Sequence, residues 1–378
     1  MRAMTDIKSI NLFIPNLDGG GAEKVILNLA QGFQRRGMKV SIVAAQAEGA
    51  FLKDIPPGVE FVDLQATFPV FVSKTLALKH HLQRTRPDYL LSTLDILGSA
   101  VLARNLAQVP TQVMMVVQTH LTQQFKDRHG PLMTRLKWFG VEQMYTRADA
   151  IAAASQGVAD DVAGHTQIPA KVIEVIYNPV LTYDFYDKAS QPVDHPWFAP
   201  GEPPVILGVG RLVKQKDFAT LIQAFALVRR QRPARLVILG DSDKREPLIK
   251  PQLQAMIQAL GLTENVDLPG FVSNPYAYMA QAQVFTLSSI YEGFGNVVAE
   301  ALAAGTPVVS TDCPSGPAEI LDQGKFGQLV PVKDSTALAH AILKTLTQPP
   351  DSARLQQRAA SFSIDKVCDD YLRVLNRL

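Results

Sequence analysis

The sequence predicts an α/β protein made of two doubly wound parallel-sheet domains. Short runs rich in Ile, Val and Leu alternate with longer stretches of helical spacing, as parallel strands and their crossover helices do. The alternation breaks once, at a proline-rich stretch over 179–204, and then restarts. A length of 378 residues suits two domains at roughly 150 residues each.

The first strand is expected over Ile10–Pro15, followed by a glycine loop and a helix over Ala22–Arg36. Val25, Ile26, Leu29 and Phe33 lie on one face of that helix and Gly37 ends it. Further strands are expected at Lys39–Ala44, Tyr89–Ser92, Gln112–Val117, Ala150–Ala154 and Val172–Ile176, each followed by enough chain for a helix. The first domain thus covers residues 1–178, and 179–204, with Pro192, Pro196, Pro200, Pro203 and Pro204, reads as a linker.

The second domain covers 205–362. Its strands are expected at Val205–Gly210, Arg235–Leu239, Val266–Leu268, Val284–Leu287 and Pro307–Ser310, with helices over Phe218–Arg230, Pro251–Leu260 and from Asn296. No repeat of 20 to 50 residues is visible.

Composition excludes several classes. Hydrophobic residues make up 47% and charged residues 19%, which is globular rather than disordered. A net charge of +2 lacks the basic excess of a duplex nucleic-acid binder. The two cysteines, Cys313 and Cys368, write neither a disulfide framework nor a zinc site, and a reducing, cytoplasmic setting fits them. Asp6 and Lys8 stand close before the first apolar run, with no small-residue cleavage pattern, so the N-terminus does not read as a signal peptide. Asp95 interrupts the longest apolar candidate for a membrane span, Leu90–Ala103.

Three segments carry chemistry. Asp18-Gly19-Gly20-Gly21-Ala22-Glu23-Lys24 follows the first strand, where glycines admit an anion to the backbone and the helix start offers unpaired N–H groups. Its plain reading is a tight turn; it is neither a dinucleotide fingerprint nor a Walker loop. Gly210-Arg211, with Lys216 following, places two cations at the end of the second domain's first strand, suited to a pyrophosphate or else simply solvated. The strongest segment runs from Ser288 to Pro307: a strand end, a glycine-flanked loop carrying Glu292, and Glu300 eight residues on in an otherwise apolar helix. A carboxylate flanked by Val297, Val298, Ala301 and Leu302 must face a crevice or be paired, because unpaired burial of charge is costly.

Together the Glu-x7-Glu element, the Gly-Arg-x4-Lys element, the glycine loop and Asn178-Pro179 resemble a retaining nucleotide-sugar glycosyltransferase of family 4, over essentially the whole chain. The resemblance implies the GT-B fold, with two Rossmann-like domains facing across a cleft and a last helix, about 363–378, packing back on the first. It implies that Arg211 and Lys216 neutralise the donor diphosphate, helped by backbone N–H groups of Gly20, Gly21, Gly295, Asn296 and Val297. It gives Glu300 the ribose hydroxyls, Glu292 the donor sugar, the backbone at Val272 the base, and His120 a place beside the sugar. With no second carboxylate in a nucleophile position, same-face displacement with phosphate as the base is the expected retaining route.

The chain departs from the family at Gly240-Asp241-Ser242-Asp243, where Gly-x-Gly is common; Asp241-x-Asp243 resembles a metal motif of the other glycosyltransferase fold but reads as a turn. Cys313-Pro314-Ser315-Gly316-Pro317 resembles transferases using UDP-hexoses or UDP-N-acetylhexosamines on lipid-linked or polysaccharide acceptors. The expectation is therefore a metal-independent UDP-sugar transferase with no cofactor beyond its co-substrate, a glycan or polyprenyl-linked acceptor, and no nucleic-acid partner. Between Gln123 and Arg147 five cations against two acids are interleaved with apolar residues, which fits either an anionic membrane surface at the inner face of the cytoplasmic membrane or packing on the domain's own sheet. The rival expectations are a nucleotide-sugar epimerase of the same fold and a non-catalytic sugar-nucleotide-binding subunit. A dehydrogenase is disfavoured by the missing dinucleotide glycines.

Overall fold

The computed structural model describes residues 9–378. Asp6 and Lys8, on which the reading of the N-terminus rested, lie outside the described residues. The chain divides into two compact units, one running to Val180 and taking in Ser363–Leu378, the other Leu181–Phe362.

The first unit holds a seven-stranded parallel sheet of β1 (Ser9–Ile14), β2 (Lys39–Ala44), β3 (Glu60–Asp63), β4 (Tyr89–Thr93), β5 (Gln112–Val117), β6 (Ala150–Ala153) and β7 (Ile173–Val175). The order is β3-β2-β1-β4-β5-β6-β7, so the connection reverses direction between β1 and β4. Its helices are α1 (Gly21–Arg35), α2 (Val70–Thr85), α3 (Ser99–Ala107), α4 (Leu121–Arg128), α5 (Pro131–Tyr145) and α6 (Gln156–His165). β1 is almost entirely buried, as a strand covered on both faces must be, and its apolar run reads that way. β3 is an edge strand, only half-buried and carrying Glu60 and Asp63, which is why hydrophobic patterning passes over it.

The second unit holds a six-stranded parallel sheet of β8 (Val205–Val209), β9 (Arg235–Leu239), β10 (Val266–Gly270), β11 (Val284–Leu287), β12 (Val308–Thr311) and β13 (Gln328–Val330), in the order β10-β9-β8-β11-β12-β13. Here the reversal falls between β8 and β11. Its helices are α7 (Phe185–Ala189), α8 (Phe218–Arg229), α9 (Ile249–Ala259), α10 (Pro275–Gln281), α11 (Asn296–Ala303), α12 (Pro317–Ile320), α13 (Ser335–Thr347) and α14 (Ser352–Ala359). Ile206, Leu221, Phe225, Leu236, Val284 and Leu338 centre one core.

The stretch over 179–204 is not a linker throughout. From Leu181 it folds with the second unit, where Phe185 is fully buried with its ring 4.5 Å from that of Tyr276, and His195 Nε2 lies 3.0 Å from Asp267. Its regular structure is limited to short elements such as α7, and its spaced aromatics bury apolar area.

The last helix, α15 (Ile364–Leu375), returns to the first unit and lies against α1. Arg36 reaches Asp365 at 3.0 Å and Asp369 at 2.8 Å, and Phe33 meets Tyr371 edge-on at 6.3 Å. Gly32 allows the approach, since a Cβ there would collide with Cys368 and Ile364.

Candidate functional site

In the second unit, loops at the carboxyl ends of β8, β9, β11 and β12 gather at the point where strand order reverses, the place where open α/β sheets take ligands. Lys216 follows β8 and Glu292 follows β11, so they flank that point from both sides. Lys216 Nζ lies 2.6 Å from Glu292 Oε1. Ser289 Oγ donates to the same oxygen at 2.6 Å. Both charged side chains are largely buried, at 16% and 8% exposure. Two donors on Oε1 fix the rotamer of Glu292 and leave its acceptor capacity to Oε2.

The backbone around the pair is tied in. Ile290 N donates to Gln215 O at 2.8 Å, Ser288 Oγ to Lys216 O at 2.8 Å and Glu292 N to Pro314 O at 3.0 Å. Gly316 lies beside Phe294 at φ +91°, where any Cβ would collide with the Phe294 carbonyl, so the Cys313–Gly316 loop and the Glu292–Gly295 loop are packed backbone to backbone. The Cys313 thiol is pushed up to about 12, by burial first and then by the Glu292 carboxylate. Gly295, at φ +91°, precedes α11, whose first residues Asn296 and Val297 present backbone N–H groups at the helix start.

Arg211 is not open in the way its position suggests. Its Nη1 pairs with Asp243 Oδ2 at 2.9 Å, and Arg245 Nη2 joins the same oxygen at 2.5 Å. These two guanidinium groups, with hydrogen bonds from Arg245 foremost, hold the Asp243 carboxyl far below the usual carboxylate range. Asp241 pairs with Lys250 at 3.2 Å, so both acids of the Asp-x-Asp turn are engaged by cations. Among the described residues no group of three or more His, Cys, Asp or Glu side chains is arranged to hold a metal ion.

Glu300, on α11, is 4% exposed, and Tyr276 Oη donates to its Oε1 at 3.3 Å. Tyr276 opens α10 directly after the loop carrying Val272, so one hydrogen bond ties the loop expected at the base to the carboxylate expected at the ribose. Val272 is half-buried behind Gly270, which holds φ +89°.

In the first unit the glycine loop follows β1 at the reversal point. Gly20 caps α1, Gly21 is its first residue, and the Glu23 side chain folds back over Gly20. His120 caps α4 after β5. Its Nδ1 lies 3.3 Å from Asp161 Oδ2 without making a hydrogen bond, while that oxygen accepts from Thr122 N at 3.1 Å. Burial lowers the His120 pKa, against the pull of Asp161.

Sequence reasoning missed Ser289, Asp161 and Tyr276. Ser289 carries a usable signal, standing three residues before Glu292 in the same loop. Asp161 carries a weaker one, an acid between Val158 and Val162 on an amphipathic helix. Tyr276 carries none, because its meeting with Glu300 spans 24 residues.

Comparison with known proteins follows the same division. Residues 19–182 match the family model described as Glycosyltransferase Family 4, and residues 192–362 match that described as Glycosyl transferases group 1. The N-acetylgalactosamine-N,N'-diacetylbacillosaminyl-diphospho-undecaprenol 4-alpha-N-acetylgalactosaminyltransferase of Campylobacter jejuni is 29% identical over 98% of this chain and 100% of its own. The lipopolysaccharide core biosynthesis glycosyltransferase LpsE of Rhizobium meliloti is 28% identical over 94% of this chain and 96% of its own. A glycosyltransferase structure from Rickettsia africae superposes with a TM-score of 0.81 at 17% identity, covering 98% of both chains. The Anabaena HepE structure in complex with UDP-glucose also reaches 0.81, at 20% identity, over 98% of this chain and 100% of that one.

Proposed function

For a chain that belongs to the family 4 and group 1 glycosyltransferases, with two Rossmann-like parallel-sheet units of GT-B type, we propose transfer of a hexose or N-acetylhexosamine from a UDP-sugar to a hydroxyl of a lipid-linked glycan, with retention and without a metal. The observation that carries this reading is Glu292, held on one oxygen by Lys216 and Ser289 where the strand order reverses, next to the start of α11.

Bond cleavage between sugar and diphosphate builds negative charge on the leaving group and positive charge on the sugar ring. For the first, Lys216 turns from Glu292 toward the diphosphate and offsets one of its negative charges. Arg211 joins it on leaving Asp243. The N–H groups of α11's first turn add partial positive charge. Glu292, with Oε2 available, accepts sugar hydroxyls and favours the developing oxocarbenium charge. Glu300 accepts the ribose hydroxyls in a rotamer set by Tyr276. His120 keeps the place at the sugar that the resemblance gives it, and its lowered pKa keeps it a neutral hydrogen-bonding group. The lipid-linked acceptor and a membrane-surface location are supported by the Campylobacter relative, whose name gives a diphospho-undecaprenol substrate, and by the exposed apolar stripe of α5. No helix among the described residues is long and apolar enough to cross a membrane.

The test is nucleotide release from a panel of UDP-, GDP- and ADP-sugars by the wild type and by Glu292→Gln. Release of UDP from one UDP-sugar, lost in the variant, supports the reading. A preference for GDP- or ADP-sugars overturns the donor assignment.

A further inference from the structure

The stretch from Gly240 to Glu246, where the chain departs from Gly-x-Gly, is pinned alongside the segment that carries Arg211 and Lys216. Gly240, at φ +136°, packs on the Gly210 carbonyl so closely that any Cβ would collide with it. Leu212 N donates to Asp241 O at 2.9 Å, and Lys214 N donates to Glu246 Oε2 at 3.0 Å. Both ends of the stretch are thus tied to the loop after β8. The Asp243 carboxylate between them is fixed beside Arg211 at 8% exposure.

The two cations on Asp243 are not held alike. Arg245 takes both carboxylate oxygens, with Nε 2.8 Å from Oδ1 and Nη2 2.5 Å from Oδ2, and its backbone N donates to Oδ1 at 2.9 Å. Arg211 makes a single bond to Asp243, from Nη1 to the oxygen that Arg245 Nη2 already shares, and its side chain is 52% exposed. Asp243 therefore stays bonded at both oxygens when Arg211 leaves. No buried charge is stranded, and the departure costs about as little as breaking an exposed ion pair.

Resting on the assignment of Arg211 to the donor diphosphate, we propose that Asp243 is a positioning residue acting through Arg211. It competes with the nucleotide diphosphate for that guanidinium, and Arg245 is the group that lets it release Arg211 and take it back. Asp243, held far below the usual carboxylate range by the hydrogen bonds of Arg245 foremost, competes as a full negative charge at neutral pH.

Charge decides the outcome of the competition. A nucleotide sugar carries less negative charge than the nucleoside diphosphate that leaves, so Arg211 is drawn from Asp243 most strongly as the sugar–oxygen bond breaks. The carboxylate thus opposes binding of the intact donor more than it opposes the transition state, the direction that raises turnover. Recapture of Arg211 by Asp243 then loosens the nucleotide product and speeds its release.

The experiment titrates UDP and uridine into the full chain by calorimetry and measures inhibition of donor turnover by added UDP. Asp243→Asn is expected to bind UDP about two- to fivefold more tightly, and to be inhibited by UDP more strongly by the same factor, with uridine binding unchanged. Arg245→Gln leaves Asp243 to Arg211 and is expected to weaken UDP roughly twofold, an effect that disappears alongside Asp243→Asn. In the Arg211→Gln background, Asp243→Asn is expected to leave UDP affinity where it is. UDP binding that Asp243→Asn leaves unchanged or weakens, while Arg211→Gln still weakens it, overturns the proposal and leaves the donor reading standing. A tightening that persists without Arg211 overturns it too. Wild-type UDP affinity in Arg211→Gln instead removes Arg211 from the diphosphate, and the proposal falls with that assignment.

Discussion

Replacing Lys216 by Met separates the structural from the catalytic use of the cation. At 2.6 Å and an effective dielectric of about 20, the Lys216–Glu292 attraction is roughly 6 kcal/mol gross, most of it offset by desolvation of both groups. Removing the ammonium leaves a carboxylate at 8% exposure with the Ser289 hydroxyl as its remaining side-chain donor. The expected loss of stability is therefore about 3 kcal/mol, the low end for a broken buried pair. In a unit of this size that lowers its melting temperature by roughly 6–12 °C. Turnover should fall by about 10² to 10³, the usual cost of one lost donor to a developing anion. The companion variant Lys216→Met with Glu292→Gln removes the stranded charge as well, so much of the stability returns while turnover stays low. Scanning calorimetry and UDP release on the three proteins read the two effects apart. A single Lys216→Met variant with wild-type melting and wild-type turnover refutes the reasoning, and a double variant no more stable than the single refutes the stranded-charge account.

Tyr276→Phe removes the hydroxyl that orients Glu300 and should weaken UDP binding roughly three- to tenfold with turnover at saturating donor little changed, by calorimetric titration and initial rates. The His120 pKa is lowered on folding, so between the ordinary imidazole value near 6.5 and the depressed one the unfolded chain holds more protons and stability rises with pH. His120→Gln should accordingly flatten the loss of stability as pH falls below about 6.5, by at most roughly 1.4 kcal/mol per pH unit, read from denaturant midpoints. Excess EDTA should leave donor turnover intact; abolition, with restoration by one divalent cation, would overturn the proposed metal independence.

The legible parts of the molecule are those where a single local constraint acts. β2, β5, β9 and β11 fall at the bounds read from sequence, because a strand buried on both faces must be a short unbroken apolar run. β3 and β13 escape that reading, the first with two acids on a half-buried edge and the second only three residues long. The residues 181–204 mislead for the opposite reason: their prolines read as a linker, yet the short α7 forms there and its Phe185 is fully buried. At the site, Glu292 and Glu300 stand out as carboxylates in glycine-flanked or apolar surroundings, and Lys216 as a cation after a strand end. Their partners do not stand out, because a hydrogen bond such as Tyr276 to Glu300 is chosen by packing between elements.

Alone, the sequence determined the two parallel-sheet units, the strand-end positions of Lys216 and Glu292, and the family to which both halves belong. Those follow from periodicity, glycine placement and motif order, which are written along the chain. Tertiary structure alone decided that Lys216 and Ser289 share one oxygen of Glu292, that Asp243 holds Arg211, and that Tyr276 reaches Glu300. Each of these depends on distances between elements far apart in sequence, where electrostatics and hydrogen bonding act over a few ångströms of space and leave no period to read.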